Sequence, residues 1–220
     1  GCEGDLLLML LDAAGIDCQL EALPAFPTIT KLRVLSRHQQ LIRLDFEEDF
    51  QQVDPGRLHD TFEQALEAAD IVIFSDYGKG TLKDTQSLIS RAKSQKVPIL
   101  VDPKGLDFDR YRGATLLTPN RGEFEAVAGG CRDENELVER GLTMLTRLDL
   151  EALLITRGEQ GMTLIQKSQP PLHLPTHAKE VYDVTGAGDT VIATLAAGLS
   201  AGMSMPEAPR RAKLATAWPA

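Results

Sequence analysis

Four short apolar runs punctuate the middle of the chain without the polar alternation of a half-exposed strand. They are IVIFSDYG (71–78), PILVDPKG (98–105), ATLLTPN (114–120) and ALLITRG (152–158). Between them the apolar positions take helical spacing, over Leu82 to Gln95, Gly122 to Ala128 and Glu134 to Arg147. Unalternating runs predict strands buried on both faces, and strands separated by helices predict a parallel sheet. The expected fold class is therefore α/β, a doubly wound, mostly parallel sheet flanked by helices. Each run ends in a polar or glycine cluster, and in open sheets of this kind ligands lie outside the carboxyl ends of the strands.

One segment has a different period. Thr28 to Phe46, TITKLRVLSRHQQLIRLDF, alternates on either side of a Ser-Arg-His-Gln turn, which predicts an antiparallel hairpin over 28–46. Its basic residues Lys31, Arg33, Arg37 and Arg43 allow two readings: charges decorating an exposed edge against aggregation, or the inner surface of a lid or subunit contact. The opening GCEGDLLLMLLDAAG has acids rather than bases before its apolar middle, and predicts an amphipathic core helix instead of a signal peptide.

Composition narrows the function. The 220 residues suffice for one domain with a small appendage, at 43% hydrophobic and 25% charged residues. Against 32 acidic residues stand 23 basic ones, a net charge of −9 that argues against a nucleic-acid partner. No apolar run reaches the roughly 18 residues of a membrane span. Cys2, Cys18 and Cys131 are widely spaced and form no CxxC, which points to buried thiols in a reducing, cytoplasmic setting. His173 and His177 bracket a Pro-rich stretch and receive no role.

The strongest chemical signal is DVTGAGDT, residues 183–190, followed by the small, apolar VIATLAAGLSAG. Glycines let the backbone turn tightly into a helix whose first N–H groups lack partners and carry partial positive charge, a setting suited to phosphoryl groups. Asp189 in that turn either accepts a proton from an attacking alcohol or serves only the helix dipole.

DVTGAGDT resembles the signature of the PfkB, or ribokinase, family of carbohydrate kinases. SDYGKG (75–80), VDPKG (101–105), TPNRGEF (118–124) and TRGEQG (156–161) stand in that family's order and spacing. The resemblance implies a ribokinase-like fold with the hairpin as a β-lid, and ATP and Mg²⁺ as cofactors. It implies Asp189 as catalytic base, with the amides of Gly186, Ala187 and Gly188 as the anion hole. Asn120, Arg121, Gly122 and Glu123 would serve the nucleotide, with Glu123 on the Mg²⁺–water network. Lys104 would contact a phosphate or pair with Asp102. Thr156, Gly158 and Gly161 would line the nucleotide side, and Asp76 would face the substrate or simply build its turn. Arg33, Arg37 and Arg43 are the candidates for a phosphate carried by the sugar, and the lid would join a homodimer.

Within that family, TITKLRVLSRHQQLIRLDFEE, VDPKGLDFDRYRGATLLTPNRGEFEAV and EVYDVTGAGDTVIATLAAGL are similar to the heptose-7-phosphate kinases. These transfer phosphate to O1 of D-glycero-β-D-manno-heptose 7-phosphate on the route to the lipopolysaccharide inner core. Alternatives are another PfkB sugar or sugar-phosphate kinase, or a non-catalytic remnant. The family's early Asp and Gly-Gly-x-x-x-Asn segment have no counterpart in the chain. After Gly202, MSMPEAPRRAKLATAWPA contains Pro206 and Pro209, poor interior helix residues, and shows no strand pattern. The expectation is a partial kinase domain over 1–220, lacking the sugar-binding start and the C-terminal end.

Overall fold

The computed structural model describes residues 2–23, 25–36, 39–48, 50, 53–54, 56–175 and 186–216. Arg37 lies outside them, as do His177 and the first three residues of DVTGAGDT, Asp183 to Thr185. The chain forms two units: Gly1–Thr61 with Lys79–Thr81, and Phe62–Gly78 with Leu82–Ala220.

In the first unit, helix α1 (Cys2–Ala13) precedes strands β1 (Thr30–Ser36) and β2 (Gln39–Phe46), and helix α2 (Gly56–Leu66) begins here. The predicted antiparallel hairpin is present, pairing Leu32 with Leu44, Arg33 with Arg43 and Val34 with Ile42. Strand alternation therefore separates an apolar face (Leu32, Val34, Ile42, Leu44, Phe46) from a charged one (Lys31, Arg33, Arg43, Asp45). The expected core helix at the start is helical but not buried: Leu6 is 55% and Met9 69% exposed. Six consecutive apolar residues, Leu6 to Leu11, sweep round the whole helix at about 100° each, so they define no polar face.

In the second unit the elements are β3 (Val72–Ser75), α3 (Thr85–Ser94), β4 (Ile99–Asp102), β5 (Leu116–Leu117), α4 (Arg121–Ala128), α5 (Glu134–Leu148), β6 (Ala152–Thr156), β7 (Met162–Gln166), β8 (Leu172–Leu174), α6 (Ala187–Ser200) and α7 (Glu207–Thr216). The strands form one sheet in the order β3-β4-β5-β6-β7-β8. The first four are parallel, as the apolar runs predict, while β7 and β8 add antiparallel.

Successive residues of each central strand feed different cores, which is what burial on both faces requires. Ile99, Val101, Leu117, Leu153 and Ile155 join Leu88, Ile89, Leu145 and Leu148 from α3 and α5. Leu100, Leu116, Ala152 and Leu154 join Val191, Leu195, Ala208 and Ala212 from α6 and α7.

The C-terminal stretch corrects an expectation. It is helical because Pro206 precedes α7 and Pro209 is only its third residue, where an N–H has no intrahelical acceptor to lose. Ser204 donates from its backbone N to Glu207 Oε2 at 2.9 Å and closes the first turn, while Ala208 and Ala212, one turn apart, are fully buried.

Candidate active site

Four strand ends and one helix start supply the candidate residues of the second unit. Asp76 follows β3 and Asp102 ends β4. Asn120, just past β5, bridges in parallel to Thr156 at the end of β6. Helix α6 opens at Gly186, which sits at φ 78°, a left-handed conformation that costs glycine little and other residues more. Its first intrahelical bond runs from Thr190 N to Gly186 O at 2.9 Å, so helix geometry leaves the amides of Ala187, Gly188 and Asp189 without intrahelical acceptors. Among the described residues beyond the helix's own backbone and the chain neighbours, no atom stands within 4 Å of where a Cβ would sit on Gly186 or Gly188.

Asp189 is exposed in the first turn of α6, and the Tyr77 hydroxyl lies 3.5 Å from its Oδ1. The structure thus brings Tyr77 and Asp189 together. Asp76 itself is 6% exposed, and both its oxygens are engaged: Oδ1 accepts from Gly78 N at 2.7 Å, Oδ2 from the Tyr111 hydroxyl at 2.7 Å. Arg110 Nη1 stands 3.5 Å from the same Oδ2. Burial pushes the Tyr111 phenol well above its ordinary range, so it remains a donor to Asp76. Asp76 therefore builds the turn that carries Tyr77.

Asn120 and Glu123 form a reciprocal helix cap. Glu123 N donates to Asn120 Oδ1 at 2.9 Å, and Asn120 N donates to Glu123 Oε2 at 3.1 Å. The other carboxylate oxygen, Oε1, receives Lys104 Nζ at 2.9 Å. The sequence reading offered Asp102 as the ion-pair partner of Lys104; the structure makes the pair with Glu123, while Asp102 adds a weaker attraction that helps hold the ammonium charged.

Sequence reasoning named Asp102 only as a partner for Lys104 and gave it no place in the site. Burial first, then the charges of Glu123, Asp189 and Asp76 against that of Lys104, push its carboxyl up to about 6. Its only sequence signal is its place as the polar stop of the run PILVD. Among the described residues no three His, Cys, Asp or Glu side chains stand close enough to cage a metal ion. The mutual repulsion around Asp102 nevertheless fits a hard cation brought by a nucleotide and held largely through water.

On the far side of the site, Gly158 at φ 57° and Gly161 at φ 83° shape the turn between β6 and β7, with open space where a Cβ on Gly158 would lie. The same turn is fixed from two directions. Arg157 pairs with Glu134 at 2.5 Å, and Arg121 donates to Gln160 Oε1 at 3.1 Å. Arg121 also engages Glu125 and the Cys131 carbonyl, so its guanidinium is occupied by protein groups, and Gly122 lies in the first turn of α4. A separate cleft of about 560 Å³, lined by Lys93, Lys96, Ile99 and Asp149 among others, opens at the amino ends of β4 to β6. That is the opposite edge of the sheet from the candidate residues.

In the first unit, Arg33 and Arg43 oppose each other across the hairpin, and Asp45 grips Arg43 through two 2.8 Å bonds. That partner holds the Asp45 carboxyl below its ordinary range.

The model of the pfkB family carbohydrate kinases matches residues 2–218. The chain belongs to that family. Bifunctional protein HldE of Salmonella paratyphi B is 60% identical over 198 residues, which are 90% of this chain and 42% of that protein. The chain thus spans less than half the length of the curated relatives it matches. Among solved structures, Escherichia coli phosphofructokinase-2 in complex with substrates and products superposes with a TM-score of 0.78 at 20% identity, over 99% of this chain and 72% of that one. Arabidopsis thaliana ribokinase complexed with ribose and ATP gives 0.63 at 23% identity, over 72% and 52%. At these identities the two kinases share the fold with this pfkB member, whose sheet and helix α6 place its strand-end motifs side by side.

Proposed function

We propose that this pfkB member transfers the γ-phosphoryl group of ATP to O1 of D-glycero-β-D-manno-heptose 7-phosphate, giving the 1,7-bisphosphate for ADP-heptose synthesis in the cytoplasm. The observation that carries the reading is the 60% identity with the HldE proteins, maintained over 90% of the chain. The geometry supports the chemistry. The acceptor O–H gives its proton to Asp189 as the oxygen bonds to phosphorus and the bond from phosphorus to the ADP oxygen breaks. The amides of Ala187 and Gly188, which have no intrahelical acceptor, meet charge growing on the phosphoryl oxygens. Mg²⁺ accompanying the nucleotide would supply further charge neutralisation, with Glu123 and Asp102 as the carboxylates that would hold it, through water.

The hairpin supports recognition of a phosphorylated sugar. Like charges placed directly across a strand pair repel, and the Arg33–Arg43 pair is such a case. A bound phosphate relieves that repulsion and suits the planar fork of a guanidinium. The opposite face, with Leu32 48% and Ile42 52% exposed, supports a homodimer formed through the lid.

The test is an ADP-release assay on the full-length protein with heptose 7-phosphate, ribose and fructose 6-phosphate. The proposal expects kcat/KM for the heptose phosphate to exceed the others by at least about a hundredfold, a discrimination of the size set by differential transition-state binding. Comparable rates with ribose or fructose 6-phosphate would move the assignment to another sugar kinase.

A further inference from the structure

The turn after β3 does more than close a strand. Its Asp76 is clamped by Gly78 N, the Tyr111 hydroxyl and Arg110, and its own amide donates to Asp102 O at 3.1 Å, extending the pairing of β3 with β4. Gly78 takes φ 68°, and a Cβ there would meet Lys104 Cγ at 3.8 Å. The residue held between these fixed points is Tyr77, which is 57% exposed and so adds little to the core. Its hydroxyl is 112 positions from Asp189 in sequence and 3.5 Å from Asp189 Oδ1 in space. Tyr77 also lies close enough to Lys104 to affect that ammonium.

We propose that Tyr77 is a positioning residue for phosphoryl transfer: its hydroxyl donates to Asp189 Oδ1 and leaves Oδ2 as the oxygen that takes the acceptor proton. This rests on the reading of Asp189 as the base. A carboxylate on the first turn of an exposed helix start rotates among rotamers. A donor fixed to one oxygen selects the rotamer and orients the other, a gain in orientation paid in advance by the fold. The contact is long, as catalytic hydrogen bonds commonly are without substrate, and it shortens when the site fills. The clamp on Asp76 is what makes Tyr77 rigid enough to do this, which accounts for a buried carboxylate beside a site that does not otherwise use it.

The experiment compares wild type, Tyr77→Phe, Asp189→Asn and the double variant in the full-length protein, measuring kcat and both KM values. Phenylalanine removes only an exposed hydroxyl, and circular dichroism verifies the fold. A hydrogen bond to a charged group predicts a fall in kcat of roughly tenfold or more for Tyr77→Phe, with both KM values within about twofold. In the Asp189→Asn background the same change should cost under about twofold, because coupled residues are not additive. Equal losses in both backgrounds, or wild-type kcat in Tyr77→Phe, overturn the proposal. Tyr77→Leu serves as the second variant: a raised sugar KM there, with Tyr77→Phe unaffected, would make the ring a sugar contact instead. If Asp189→Asn itself keeps near wild-type turnover, the base assignment fails; if it is impaired while Tyr77→Phe is normal, only the role of Tyr77 fails.

Discussion

Lys104 Nζ sits 2.9 Å from Glu123 Oε1, while the other oxygen of that carboxylate holds the backbone of Asn120. One side chain therefore caps helix α4 and fixes Lys104 near Asp102. The two duties are separable by mutation. Glu123→Gln keeps an acceptor for the Asn120 amide but removes the charge, so it should leave Tm nearly unchanged and raise the Mg²⁺ needed for half-maximal activity. Glu123→Ala should do the same to Mg²⁺ and also lower stability by about 0.5–2 kcal/mol, the usual worth of a cap. Thermal melts and Mg²⁺ titrations of both variants distinguish the duties. An unchanged titration in both would remove Glu123 from the metal network.

Asp189→Asn should lower kcat by about 10²–10⁴, the usual contribution of general-base catalysis, with ATP affinity retained. Single-turnover kinetics and nucleotide titration read the two quantities separately. Near wild-type turnover would leave Asp189 as a helix-dipole residue.

The Asp102 carboxyl titrates near 6 in the folded protein against an ordinary 3.8. Above pH 6 both folded and unfolded chains are ionised there, and the folded one bears the cost of a half-buried charge among other carboxylates. As pH falls through 6 the folded protein takes up the proton first, and the cost disappears as pH nears the unfolded value. Asp102→Asn should therefore raise Tm at pH 7.5 in metal- and nucleotide-free buffer, and the gain should vanish by about pH 4. A gain independent of pH would assign the effect to packing instead.

Arg33 and Arg43 share one face of the hairpin, but Asp45 occupies the fork of Arg43 alone. Arg33→Ala should then reduce kcat/KM for heptose 7-phosphate by at least tenfold, within the range of a charge-assisted contact, and spare unphosphorylated heptose. Arg43→Ala should cost less. Equal losses on the two sugars would return the charged face to a solubilising role.

How much of this was legible in the sequence follows from the length and burial of each element. The runs that became β4 to β6 are unalternating because both faces of those strands are buried, and that pattern is local; β3 carries the same kind of run although Ile73 on it is 39% exposed. Strands β7 and β8 escaped for a reason other than length, since β7 has five residues like β6; their signal is the turn between β6 and β7. TRGEQG reads as a ligand-side turn, yet Arg157 N donating to Gly161 O at 2.7 Å makes it a hairpin closure as well. Asn120 and Glu123 illustrate a deeper ambiguity, since the spacing that suits a metal–water network is also the spacing of a capping box. Tyr77 and Asp102 were out of reach for another reason. Their significance lies in what long-range folding sets beside them, Asp189 in both cases, and no window along the chain contains the pair.

The two faces of the hairpin bear on how this segment can change over generations. Side chains alternate strictly, so inserting one residue into either strand turns every position beyond it over. Arginines would then point where leucines had been, and the apolar stripe would take over the charged face. Inserting two residues restores the order. The ribbon should accordingly drift in length by even steps, with odd changes confined to irregular places such as the step between Val34 and Leu35, where the register already shifts.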